Sequence, residues 1–115
     1  MKIAISSNGD SLAAQTHSLF GRCDYFVIID TETGESTALK NKSADASTGA
    51  GPACAQELFN AGVTAVVSGK IGPNAYETLK AAGMGIFLAP PGITVQEALD
   101  KFKAGSLPKN EVRRF

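Results

Sequence analysis

Between Asp24 and Asp30 the chain reads Tyr25-Phe26-Val27-Ile28-Ile29 without a polar interruption. A strand wetted on one side alternates polar and apolar residues; a run this continuous has to be covered on both faces. Residues 24–30 are therefore predicted to be an inner strand. Lys2 to Ser7 predicts an earlier strand, with Ile3 and Ile5 on one face, and Asn8 to Gly21 is a polar connection containing glycine. Thr31-Glu32-Thr33-Gly34 is a turn signal, and Glu35 to Leu39 reads as the returning strand of a hairpin. Its thin apolar content assigns it to the sheet edge.

Large apolar residues then disappear from Asn41 to Gly51, the composition of a mobile loop. Beyond it the grammar changes. Gly51-Pro52 opens a helix through Asn60, because proline suits the first helical position, and Gly62 stops it. On its wheel Cys54, Ala55, Leu58 and Ala61 oppose Gln56, Glu57 and Asn60. Val63 to Ser68 is a buried strand. A second helix runs from Gly72-Pro73 to Gly83, and Gly85 to Ala89 is the last strand. Thr94-Val95-Gln96-Glu97 has capping-box spacing and starts a third helix ending near Gly105. The order β-β-β-α-β-α-β-α predicts an α/β fold: a mixed five-stranded sheet with three helices, in which a hairpin precedes right-handed β-α-β crossovers.

A chain of 115 residues, 43% hydrophobic, fits one domain over 1–115 with one core. Its 11 basic and 11 acidic side chains cancel, which argues against holding a nucleic-acid backbone. The basic stretch Lys101, Lys103, Lys109, Arg113 and Arg114 reads as a solvated tail on the final helix. The apolar start is too short for a signal peptide, and no run approaches the ~20 apolar residues of a membrane helix. A cytoplasmic protein is expected, with Cys23 and Cys54 as thiols.

Two segments share one device. Gly49-Ala50-Gly51-Pro52 and Gly69-Lys70-Ile71-Gly72-Pro73 each end in Gly-Pro at a helix start. In a β-α unit that start lies near the strand's carboxyl end, where ligands of open sheets collect. Free N–H groups and the positive end of the helix dipole suit an anion there, glycines admit a ligand close to the backbone, and Lys70 adds charge. No phosphate-loop or dinucleotide fingerprint is present. A third segment, His17-Ser18-Leu19-Phe20-Gly21-Arg22-Cys23, gathers an imidazole, a guanidinium and a thiol. His and Cys suit soft metals and Arg suits anions. His17 also reads as a plain loop histidine, and Cys23 and Cys54 as small buried residues. No pair has zinc spacing. One histidine without an evident carboxylate partner makes a poor acid–base constellation.

Leu19-Phe20-Gly21-Arg22 ahead of the 24–30 strand, then Gly49-Ala50-Gly51, then Gly62-Val63 leading to Gly69-Lys70-Ile71-Gly72-Pro73-Asn74-Ala75, resemble the dinitrogenase iron–molybdenum cofactor biosynthesis family over residues 2–103. That family includes NifX-like proteins, the C-terminal part of NifB-like proteins and the small orange proteins. The resemblance implies a ribonuclease H-like fold. It also implies a carrier or scaffold, not an enzyme, for iron–molybdenum cofactor, its iron–sulfur precursor or a molybdenum–copper sulfide cluster. The implied cofactor-binding residues are Phe20, Gly21, Arg22, Gly49, Ala50, Gly51, Gly69, Lys70, Ile71, Gly72, Pro73 and Asn74. His17, Cys23 and Cys54 are the candidate metal ligands. Many members carry a histidine directly before Phe-Gly-Arg; Leu19 stands there in this chain.

The implied partners are proteins that donate or accept the cluster, with the chain a monomer or weak homo-oligomer. Two other readings compete. A ribonuclease H-like fold invites a metal-dependent nuclease, but that chemistry needs converging carboxylates, and Lys2 to Ser7 carries none. The alternative is a protein–protein interaction module whose loop at 42–50 orders on a partner.

Overall fold

In the computed structural model, which describes residues 1–42 and 50–110, β1 (Lys2–Ser7) lies at the centre of the sheet. It pairs antiparallel with β2 (Tyr25–Asp30), and β2 pairs antiparallel with the edge strand β3 (Ser36–Lys40). On its other side β1 runs parallel to β4 (Val63–Ser68), which runs parallel to β5 (Gly85–Leu88). The strand order is β3-β2-β1-β4-β5. Only β2 opposes the rest, the ribonuclease H-like arrangement that the family resemblance implied. The β2–β3 turn is closed locally: Asp30 Oδ1 accepts the N–H of Glu32 at 2.9 Å and of Thr33 at 3.4 Å. The Glu32 N–H holds that carboxyl below its usual range, and Gly34 takes the positive φ of 79°.

Both faces of the inner strands are covered. Helices α1 (Ala50–Asn60) and α2 (Pro73–Ala81) lie over Ala4, Phe26 and Val66, contributing Cys54, Ala55, Leu58, Ala75 and Leu79. Helix α3 (Val95–Lys103) covers the opposite face, where Val95, Ala98 and Leu99 meet Ile3, Ile5, Val27, Ile29 and Val67. Alternation along β1 thus sends isoleucines to α3 and the small Ala4 to the α1/α2 layer. Phe20 is tucked under the first layer against Phe26, ring centres 5.3 Å apart.

Beside one-residue shifts at the ends of β2, β3 and β5, two departures from expectation have a physical reason. α1 begins at Ala50, two residues before Pro52. A proline anywhere in the first turn removes only a donor that had no intrahelical partner. The chain beyond α3 is also more than a solvated tail. Leu107–Asn110 runs back along β5, with Leu88 N–H donating to Pro108 O and Asn110 N–H to Ile86 O, both at 2.9 Å. Lys109 sits in that strip; Arg113 and Arg114 lie outside the described residues. Among the described residues no helix is long and apolar enough to cross a membrane.

The capping box at α3 forms in full: Thr94 Oγ1 accepts from Glu97 N–H at 3.1 Å and Glu97 Oε1 from Thr94 N–H at 3.0 Å. Thr94→Ala is expected to lower stability by about 1 kcal/mol, read as a drop in the urea midpoint with an unchanged slope.

Candidate functional site

The carboxyl ends of β1, β4 and β5 point the same way, and the starts of α1 and α2 gather there. The loop after β1 is stitched into this end by backbone bonds. Lys70 N–H donates to Ser18 O at 2.7 Å, and Phe20 N–H donates to Lys70 O at 3.0 Å. These bonds bring a 3-10 turn, Phe20–Arg22, alongside the β4–α2 loop.

Between that turn and the two helix starts lies a groove of about 350 Å³. The structure brings Phe20, Gly21, Arg22, Ala50, Gly51, Lys70, Gly72 and Asn74 to its walls. Arg22 and Lys70 are exposed cations. Gly72 caps α2 without a side-chain bond, so the N–H groups of Asn74 and Ala75 keep the open helix start that favours an anion. Ile71 belongs to the core instead, 5% exposed. Gly49 lies outside the described residues. Gly69 and His17 line a neighbouring cleft of about 460 Å³ with Asn8, Thr16 and Pro91, and Lys70 borders both spaces. The cleft is the larger, but the groove holds the arginine and both helix starts, so it is the better fit for an anion.

The glycines at this end also shape the walls themselves. A Cβ on Gly51 would stand 2.6 Å from Ala75 Cβ, one on Gly21 would stand 3.1 Å from Gly51 N, and one on Gly69 would overlap the Ser18 carbonyl. These three let the walls close on one another. Gly72 alone of the four has nothing within 4 Å. Gly69→Ala is therefore expected to destabilise by about 1–3 kcal/mol, because rigid backbone has to shift. Gly72→Ala, at φ −77°, should stay within about 0.5 kcal/mol. Equilibrium unfolding of the two variants side by side decides this.

Both cysteines are core residues, 0% and 1% exposed for Cys23 and Cys54. Cys23 Sγ donates to Phe20 O at 3.3 Å, and Cys54 Sγ donates to Asn41 Oδ1 at 3.1 Å. Burial pushes the Cys23 thiol up to about 12 and the Cys54 thiol to about 11, the latter helped by the Glu57 carboxylate. His17 Nδ1 lies 2.9 Å from Leu19 N and 3.0 Å from Leu19 O, so either ring tautomer has a backbone partner. Among the described residues no three His, Cys, Asp or Glu side chains gather as a metal site.

The thiols make a pH prediction. Their folded values lie above the ordinary 9.0, so their contribution to stability is complete below pH 9.0 and lost as pH rises toward 11 and 12. Native protein at pH 8 should resist thiol reagents until it is unfolded. Urea stability should fall between pH 9 and 11, less steeply in Cys23→Ala.

Asparagine 41 carries a role the sequence did not reveal. It is 5% exposed, and its Nδ2 donates to Cys23 O at 2.8 Å and Gly21 O at 3.2 Å. On the far side Asn110 Nδ2 donates to Gly69 O at 2.7 Å. An asparagine between an edge strand and a polar loop carries no pattern that separates it from a turn residue.

A ribonuclease H-like domain with an arginine, a lysine and an open helix start around one groove defines a class of small α/β proteins with a cationic groove. Within that class the chain belongs to the dinitrogenase iron–molybdenum cofactor family, which matches residues 1–105 and is involved in iron–molybdenum cofactor biosynthesis or binding. An uncharacterized protein of Methanocaldococcus jannaschii is 32% identical over 114 residues, 96% of this chain and 92% of that one. The apo form of the orange protein from Desulfovibrio gigas superposes with a TM-score of 0.90 at 32% identity, over 94% of this chain and 91% of that one. The NMR structure of a putative NifB protein from Thermotoga gives 0.86 at 40% identity, over 98% and 97%.

Proposed function

We propose that this protein is a non-catalytic carrier that holds an anionic metal–sulfur cluster as cargo in the Arg22 groove. The observation that carries the reading is the convergence of Arg22, Lys70 and the open start of α2 on one space of about 350 Å³. Sulfide-rich clusters carry negative charge on their rims. A guanidinium, an ammonium and free N–H groups bind such a rim without displacing its sulfides. Hydrogen bonds to charged groups contribute roughly 1.5–3 kcal/mol each, and a helix start adds about 0.3–1 kcal/mol. The family offers three cargoes: iron–molybdenum cofactor, its iron–sulfur precursor, or a molybdenum–copper sulfide cluster.

His17 borders the adjoining cleft beside Lys70 and is the imidazole available to a metal. If Nδ1–H donates to Leu19 O, the Nε2 lone pair is free to ligate, the arrangement common at metal-bound histidines. The two thiols stay in the core in this reading; ligation through Cys54 would break its bond to Asn41. A carrier gives up its cargo whole. That release suits contacts made mostly by hydrogen bonds and charge, with separate proteins supplying and receiving the cluster.

Anaerobic titration with tetrathiomolybdate and copper(I), followed by visible absorption and metal analysis, tests the proposal. Stoichiometric uptake is expected, weakened at least about tenfold in Arg22→Ala, less in Lys70→Ala, and reduced by added salt. Absence of uptake of this and of iron–sulfur clusters, or an Arg22→Ala protein that binds as well as the parent, would overturn it.

A further inference from the structure

We infer that Asn41 is a positioning residue for the groove: its buried amide fixes the turn that presents Arg22 to the cargo. The inference rests on the carrier reading but adds a residue outside every motif that suggested it. The two carbonyls that Asn41 Nδ2 holds, Gly21 O and Cys23 O, belong to the residues on either side of Arg22. The turn's own closing bond, Arg22 N–H to Leu19 O, is long at 3.4 Å. The shorter tether, 2.8 Å to Cys23 O, comes from Asn41. The amide is itself locked. Asn41 N–H donates to Asp24 O at 2.9 Å, and Asn41 Oδ1 accepts the Cys54 thiol from the first turns of α1.

Chemistry sets the amide's orientation, because carbonyls only accept, so the NH₂ must face the turn and the oxygen must face the thiol. No other side chain of this size does both. Aspartate puts a carboxylate against two carbonyls. Leucine takes the donor away from both, and the contact with the Cys23 carbonyl is buried. Asn41 therefore connects the end of β3, the Arg22 turn and α1 through a single group.

The test has two readouts, one of which needs no cargo. In Asn41→Leu, native-state exchange of the Gly21, Arg22 and Cys23 amides should rise about tenfold while that of Val66 and Val67 in β4 is unchanged. Cys54→Ala, which takes the thiol donor away from Asn41 Oδ1, should give a smaller rise, about threefold, and Cys54→Ser should restore protection. In the second readout, Asn41→Leu should weaken uptake of the tetrathiomolybdate–copper(I) cluster about tenfold. Combined with Arg22→Ala it should weaken uptake no further than Arg22→Ala alone, whereas its effect should multiply with that of Lys70→Ala. A merely structural role would multiply with both. Unchanged exchange in the turn, or losses that multiply with Arg22→Ala, would overturn the inference. Should the parent protein take up no cluster, the carrier reading fails, and the exchange experiment still decides whether Asn41 holds the turn.

Discussion

Two backbone hydrogen bonds, Lys70 N–H to Ser18 O and Phe20 N–H to Lys70 O, join the connection after β1 to the end of β4 like a short stretch of parallel ladder. Everything at the groove depends on this join. It carries the Phe20–Arg22 turn across the sheet to the starts of α1 and α2, and it holds Lys70 between the groove and the neighbouring cleft. The join demands glycine at position 69, where any Cβ would run into Ser18. Phe20 then anchors the turn by burying its ring on Phe26. A charged group placed this way stands on core packing, although it is itself exposed.

The fold was legible because its signals are local. An uninterrupted apolar run, a Thr-Gly turn, Gly-Pro starts and a capping box each specify one element from a few neighbouring residues. Their order leaves few topologies open. The part of the groove supplied by motif residues was legible for the same reason. What escaped notice is long-range. Asn41 meets Gly21 and Cys23 across about twenty positions of chain, and Asn110 meets Gly69 across forty-one. The glycines were recognised as special, but their spacing does not say whether the missing side chain makes room for a ligand or for another wall. Cys23 and Cys54 read correctly as small buried residues because an apolar strand lead-in and an apolar helix face are themselves local features.

Charge is arranged here by placement alone. The chain is neutral overall, with 11 basic and 11 acidic side chains, so no broad field draws an anion to it. On the carrier reading proposed above, selectivity comes from the few groups that line the groove, and it acts over a Debye length of about 8–10 Å at ordinary ionic strength. On that reading the groove favours cargo whose negative charge is compact and rigid, so that the same rim meets the guanidinium, the ammonium and the helix start together.

Asn110 has a further consequence. Its backbone closes the outer edge of β5, and its side chain holds the carbonyl of Gly69 next to Lys70. The same residue thus shields a sheet edge from unwanted strand pairing and braces a wall of the cleft beside the groove. Fraying of this strip would loosen the two together. The protection of a sheet edge and the shape of a cleft, ordinarily independent traits of a small protein, are here held by one residue.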